Sequence, residues 1–383
     1  AKPAMPAEQT PQKNSKISMF QYRMIGSAKG CVDRYIELSK LPRSSLRKVA
    51  TPCIDDHLIA PEDFVSKGAL SPVASKMVLK CLYLARLARP DLLWAVNSLA
   101  REVTKWNTAC DKRIHRLISY IHWTADYVMT SYIGNNANEC KLMLFCDASF
   151  AGDLRDSKST SGGILCLVGS QTFAPICWMC KKQGAVSHSS SEAEIIALDA
   201  CLRLDGLPCL DFWDEVINIL HPETKGTTKE SAANKRGNPK HKDMDVYKVL
   251  SEIDYVPTTI DATKRVAKMI IMEDNDAVIK MCIKCRSPNM RHVARTHRVD
   301  LDWVFERLKH DQNITMKYVN TKQQLADIFT KGSFTDAIWK VLLNLIQIIP
   351  STTSAQAHAP AAANTPKLSL AARSDPIATT MAQ

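Results

Sequence analysis

The sequence has no secretory leader, no membrane-length apolar run and no internal repeat. Its N-terminal stretch, "AKPAMPAEQTPQKNSK", is polar. Its longest apolar run, "AIWKVLLNLIQII", is too short to cross a bilayer and carries Lys340 and Asn344. A paired cysteine framework is missing too: the thirteen cysteines are odd in number and scattered through apolar stretches such as "LKCLYLA" and "GGILCLVG". These absences argue against a secreted disulfide scaffold and against a helical membrane protein. Buried free thiols point to a reducing, intracellular setting.

What is present is ordinary globular composition with one bias. The 383 residues give room for one large or two ordinary domains, with 45% hydrophobic and 23% charged residues. The net charge is +11. Such a balance suggests a polyanionic partner, nucleic acid before others. Because the first residue is Ala1, the expectation is a processed chain or a fragment.

Residues 1–18 are polar and read as a disordered arm. A mostly helical section follows over 19–135. "SKMVLKCLYLARLA" has apolar residues at helical spacing and stops before Arg89-Pro90. "DLLWAVNSLAREVTKW" and "CDKRIHRLISYIHWTADYV" keep the same 3.6 period. The period then changes. "KLMLFCDA", "SGGILCLVG" and "TFAPICWMC" are short apolar runs parted by turn residues, the pattern of an antiparallel meander. A helix over "SSSEAEIIALDACLRLDGLPCLDFWDEVINIL" comes next, then a lysine-rich inserted loop at 221–262.

After the loop come the strand "AKMIIME", the helix "NDAVIKMCIKC", a basic joint "RHVARTHR" and the helix "VDLDWVFERLKH". The strand "NITMKYV" and a helix over "TKQQLADIFTKG" complete a unit spanning 140–335. An amphipathic helix at 336–349 and a disordered Ala/Ser/Thr/Pro-rich tail at 350–383 close the chain. The order β-β-β-α-loop-β-α-β-α predicts an α/β fold. Its mixed sheet has three antiparallel strands, then parallel ones, flanked by helices.

Four acids stand at telling places in that order. Asp147 ends the first strand of the meander, Glu194 lies in the first turn of the helix after it, Asp274 ends the fourth strand, and Asp327 lies in the last helix of the unit. If they converge on one sheet edge, they repel one another unless a divalent cation neutralises them. A set of hard oxygen ligands suits Mg²⁺ or Mn²⁺. Two such ions can activate water and stabilise the leaving oxygen of a phosphodiester displacement. Each acid also has a plain reading. Glu194 could close a capping box with Ser191, Asp274 could cap the next helix, and Asp327 could be an exposed helix residue. Asp147 is the hardest to explain away, since a buried unpaired carboxylate is expensive.

The stretches "CDASFAGDLRDSKSTSGGILCLVG", "ICWMCKKQGAVSHSSSEAEIIAL", "EDNDAVIKM" and "TKQQLADIFTK" resemble, in that order, the ribonuclease H domain of Ty1/copia-type LTR retrotransposon Pol polyproteins. The upstream "LYLARLARPDLLWAVNSLAREVTKW" and "RLISYIHWT" resemble the segment that joins reverse transcriptase to ribonuclease H in such elements. The resemblance covers roughly residues 75–335. It implies a ribonuclease H-like fold preceded by a helical connection segment. It also implies a two-metal endonuclease that cuts the RNA strand of RNA–DNA hybrids. By position its ligands are Asp147, Glu194, Asp274 and Asp327, with Glu194 preferred to Glu192 because it directly precedes "IIAL". A polymerase domain is an implied partner; no membrane and no small-molecule cofactor are expected. The compartment stays open between cytoplasm, nucleus and retroelement particle.

Departures from the family pattern are plain. The stretch between Glu194 and Asp274 is lengthened by the basic insertion. The family's Thr-Lys-His run is here Thr296-His297-Arg298. No Tyr-x-Asp-Asp polymerase signature occurs, and Asp55-Asp56 sits in a loop-like stretch. The rival reading is an inactive nucleic-acid-binding remnant of such a polyprotein.

Trp178, Lys181 and Lys182 form an aromatic–basic group that could follow a nucleic-acid backbone, or be a core tryptophan beside solvated lysines. Arg291, Arg295 and Arg298 are candidate phosphate contacts, or a plain solvated joint. Cys177/Cys180 and Cys282/Cys285 have the spacing of zinc pairs. The first pair falls on a strand and over a hundred residues separate the two, so incidental cysteines fit better. Ser187–Ser191 has no Gly-x-Ser-x-Gly elbow and reads as a turn into a capped helix.

Overall fold

In the computed structural model the described residues are 17–153, 156–222 and 265–351. The insertion, apart from its first residues, lies outside them, as do most of the N-terminal arm and nearly all of the tail.

The strands are β1 (Ser18–Tyr22), β2 (Tyr127–Ile133), β3 (Lys141–Ser149), β4 (Thr160–Val168), β5 (Phe173–Lys182), β6 (Met269–Glu273), β7 (Ile314–Tyr318) and β8 (Ile348–Pro350). They form one sheet in the order β1-β2-β5-β4-β3-β6-β7, with β8 also on β2. The meander β3-β4-β5 is antiparallel, whereas β3 pairs with β6, and β6 with β7, in parallel. This is the mixed α/β sheet that the order of apolar runs predicts. β3 is central and buried along nearly its whole length, which is why its sequence is continuously apolar rather than alternating.

The helices preceding the meander are α1 (Ile25–Ser39), α2 (Pro61–Val65), α3 (Ala74–Leu87), α4 (Leu93–Ala100) and α5 (Thr108–Trp123). Those following it are α6 (Ser190–Cys201), α7 (Leu207–Leu220), α8 (Asp276–Lys284), α9 (Val293–Thr296), α10 (Leu301–His310) and α11 (Asp336–Leu345). A wider turn, Leu202–Gly206, joins α6 to α7. The two-residue alternation of β3 divides its side chains between two cores. Met143 and Phe145 pack with α1, α3, α4 and α5. Leu142, Leu144 and Cys146 pack with α6, α7, α8 and α10.

The section expected to be helical also supplies two strands. β1 and β2 pair over Ser18–Tyr22 and Met129–Ile133, and β2 meets β5 at Tyr132–Phe173. β1, "SMFQY", shows no regular two-residue alternation, because as an edge strand it leaves Met19, Phe20 and Tyr22 exposed. The predicted 336–349 helix stops at Leu345. Gln347 turns with φ 59°, and Ile348–Pro350 then adds to β2.

Beneath the N-terminal helices is a buried ion pair. Arg89 donates from Nε and a terminal nitrogen to both carboxylate oxygens of Asp91, at 2.9 and 2.7 Å. It also donates to the carbonyl and hydroxyl of Thr124. Tyr120 donates to Asp91 and accepts from the Trp339 indole, so α11 is anchored to the same group.

Candidate functional site

Asp147 lies near the C-terminal end of β3, opposite Gly162 of β4, and is 3% exposed. A methyl group on Gly162 would lie 2.5 Å from Thr330 Cγ2 and 2.9 Å from Phe329 Cβ. Glycine at that register is what lets the segment after β7 close over the strand. Its neighbour Gly163 does the same on the opposite face, where a Cβ would meet Cys201 Sγ at 2.3 Å.

That closing segment differs from the predicted helix. It is two short 3₁₀ turns, Thr321–Gln323 and Leu325–Phe329, with Asp327 in the second. The cause is Gln324. Its side chain is fully buried, donates to the Cys146 carbonyl at 2.8 Å and accepts from the Ala326 amide, which pins the chain to β3. Thr330 then donates its hydroxyl to Asp147 Oδ2. The Lys331 ammonium contacts Asp327 Oδ1 and lies 3.9 Å from Asp147 Oδ2.

Glu194 approaches from the other face. The capping box of α6 is not the predicted Ser191–Glu194 pair. Ser189 is the N-cap and accepts from the Glu192 amide, so Glu194 falls in the second turn of α6 and not the first. Glu192 belongs to another set of contacts. Its Oε2 accepts from the His188 amide and lies 3.1 Å from His292 Nε2. Its Oε1 lies 3.2 Å from His297 Nε2, within ion-pair distance but without hydrogen-bond geometry. Glu194 Oε2 is buried with no hydrogen-bond partner among the described residues. Asp274 directly follows β6, and the cap of α8 is Asn275 rather than Asp274.

The electrostatics join all four acids. Burial pushes Asp147 up to about 7; Lys331 and Thr330 pull against this, while Asp327 and Asp274 add to it. Burial likewise pushes Glu194 up to about 10, helped by Asp147, Glu273 and Asp274. Asp327 is raised by burial against the pull of Lys331. For Lys331, burial alone would depress the ammonium, but Asp147 and Asp327 outweigh it and hold it above the ordinary lysine value. The four carboxyls share one field. Among the described residues, however, no three His, Cys, Asp or Glu side chains are grouped tightly enough to hold an ion as they stand. The cation among these acids is Lys331.

Sequence reasoning missed Glu273. It is fully buried at the end of β6, has an unpartnered Oε2 and is pushed up to about 8, first by burial. The signal was the doubled acid "ED" at the end of an apolar strand. Thr330, Lys331 and Gln324 were missed because each reaches β3 from almost two hundred residues away.

The candidate nucleic-acid residues have mixed surroundings. The Trp178 indole donates to the Ala85 carbonyl at 3.1 Å and packs against the N-terminal core. Lys182 pairs with Asp153 and Asp156, whereas Lys181 is exposed. Arg291, Arg295 and Arg298 are exposed on the joint that His292 and His297 bring to Glu192. All thirteen cysteines are free, and those of the two zinc-like pairs lie on β5 and at α8. Asp55 caps a short turn and accepts from Ser333, and Asp56 pairs with Arg113. Among the described residues no helix is long and apolar enough to cross a membrane.

Comparison with known proteins bears on the origin of the chain. The Retrovirus-related Pol polyprotein from transposon RE2 of Arabidopsis thaliana is 33% identical over 128 residues, covering 32% of this chain and 8% of that protein. The corresponding polyprotein from transposon RE1 is 31% identical over 123 residues, 32% of this chain and again 8% of the polyprotein. Secreted RxLR effector protein 161 of Plasmopara viticola is 32% identical over 117 residues, 30% of this chain and 78% of that protein. The chain belongs to one sequence family with this last protein. Its relation to the two transposon polyproteins indicates a retrotransposon Pol origin for this Pol-related chain, whose matched part spans only a small fraction of their length. No protein-family model matches it, and no solved structure matches it.

Proposed function

We propose that this Pol-related chain is a metal-dependent endonuclease of the ribonuclease H type, which cuts the RNA strand of RNA–DNA hybrids. One observation carries the reading: Asp147, Glu194 and Asp327 are buried on three separate elements, and burial together with the nearby charge of Asp274 raises all three. The sheet supports it, since three antiparallel strands continued by two parallel ones agree with a ribonuclease H-like fold.

The residues suit hard divalent cations, Mg²⁺ or Mn²⁺. Glu194 offers a buried oxygen without a partner, and an ammonium already stands in for positive charge between Asp147 and Asp327. Asp147, Glu194, Asp274 and Asp327 would hold the two ions. Once bound, the ions would offset the acids' repulsion, activate water and stabilise the leaving oxygen. The chain's own residues do the rest. Thr330 orients Asp147, and Gln324 holds the Asp327 turn on β3. The exposed Arg291, Arg295 and Arg298, on the joint that His292 and His297 tie to Glu192, offer phosphate contacts. A-form geometry and the 2′-hydroxyl would mark the RNA strand.

A second reading, an inactive nucleic-acid-binding remnant, is favoured by the position of Lys331, which fills the space between two of the proposed ligands. Cleavage of a labelled RNA–DNA hybrid by the purified chain, with Mg²⁺ or Mn²⁺, separates the two. Loss of the RNA strand alone, abolished by Asp147→Asn, supports the nuclease. Hybrid binding without cleavage, unchanged by the substitution, supports the remnant.

A further inference from the structure

Lys331 is not an ordinary surface partner of Asp327. Its ammonium reaches two carboxylates from different elements, one of them on a strand residue that is 3% exposed. Asp274 adds to the field around it. One positive charge thus stands against at least three acids. Its side chain is nevertheless 39% exposed, so it has an open path to solvent. A cation cannot sit between Asp147 and Asp327 while the ammonium is there.

We propose that Lys331 is the resident counter-ion of the acid cluster and competes with the divalent cation for the space between Asp147 and Asp327. The inference rests on the metal-dependent reading above and adds a control to it. Without metal, the lysine screens the repulsion among the carboxylates and keeps the turn that carries Asp327 closed over β3. When a divalent cation enters, the lysine swings out along its exposed stem, so loading requires breaking the ion pair. The site then fills only at a cation concentration high enough to overcome that competition. This makes Lys331 a positioning residue whose removal has opposite effects on the two states. The metal-free chain loses its counter-charge, while the metal-binding step loses its competitor.

The test compares wild type, Lys331→Met, Lys331→Arg and Asp147→Asn, using Mn²⁺ as the probe. Free Mn²⁺ is read by electron paramagnetic resonance and melting temperature by circular dichroism with and without chelator. Lys331→Met should bind Mn²⁺ about fivefold more tightly than wild type, the upper end of the scale set by losing one partly exposed ion pair. In chelator at pH 8 it should melt at a lower temperature. Lys331→Arg keeps the charge and should bind no more tightly than wild type, which controls for a general packing defect. Equal or weaker Mn²⁺ binding by Lys331→Met overturns the competition. An unchanged melting temperature in chelator overturns the counter-ion role. If neither wild type nor Lys331→Met takes up Mn²⁺ while Lys331→Met still melts lower, the metal reading has failed and the counter-ion stands. Mn²⁺ binding in wild type that Asp147→Asn abolishes, with Lys331→Met unaltered, means that the metal reading holds and this inference fails.

Discussion

Thr330 donates its hydroxyl to Asp147 Oδ2 across 183 positions of sequence. The contact exists because Gly162 has no side chain to hold the two apart, and because Gln324 fixes the intervening turn to the carbonyl of Cys146. The carboxylate on the central strand is thus held by a hydroxyl from a segment that follows β7 in the chain.

Removing that hydroxyl tests its role. Thr330→Val keeps the shape but leaves Asp147 without its donor in a buried setting. The cost should be about 1–3 kcal/mol of stability, read from the shift in urea midpoint. Thr330→Ser should recover most of it.

The acids also set a pH dependence. Asp147 and Glu273 are pushed up to about 7 and about 8 in the folded chain, and Glu194 to about 10. Their unfolded values lie near 4. Between those limits the folded state binds more protons than the unfolded one, so stability falls as pH rises. The metal-free chain should therefore melt at a lower temperature at pH 8 than at pH 5.5, and Mg²⁺ should narrow the gap. A melting temperature that climbs over this interval in chelator would contradict the burial of these carboxyls.

Glu192 and Glu194 lie two residues apart and should fail differently. Glu194→Gln should weaken Mn²⁺ binding at least tenfold and leave the joint at 288–298 protected. Glu192→Gln removes the partner of His292 and His297 and should raise hydrogen exchange in that joint while sparing Mn²⁺ uptake. Reversed outcomes would transfer the metal assignment to Glu192.

Arg291 and Arg295 are proposed to contact phosphate. Changing both to Ala should weaken hybrid binding and lower the slope of log affinity against log salt by roughly one for each lost contact. An unaltered slope removes them from the interface.

The Arg89–Asp91 pair bears on stability alone. Arg89→Met leaves a buried carboxylate uncompensated and should cost about 3–5 kcal/mol in denaturant unfolding. Replacing both residues, Arg89→Met with Asp91→Leu, should restore much of the loss.

Much of the architecture was legible because burial leaves a pattern in one dimension. β3, β4, β5, β6 and β7 were each visible as short apolar runs between turn residues, and their order already implied an antiparallel meander continued in parallel. Asp147 in β3 and Asp274 just after β6 stood out because each comes where an apolar run gives way to charge. β1 escaped notice because an exposed edge strand needs no apolar face. The Asp327 turn was read as helix because its spacing allows one, whereas a single buried side chain, Gln324, selects the tighter turn.

The order of apolar runs and the positions of the acids along them belong to the sequence alone, since they follow from which residues must leave water. Only tertiary structure decided what meets at the end of β3. The joining of Asp147 to Thr330, the placing of Lys331 beside two acids and the diversion of Glu192 to His292 and His297 involve residues about 100 to almost 200 positions apart. Periodicity reports burial along a segment and says nothing of which distant segment covers it. That choice rests on the packing of both faces of one sheet, where two adjacent glycines leave room for two different elements to close.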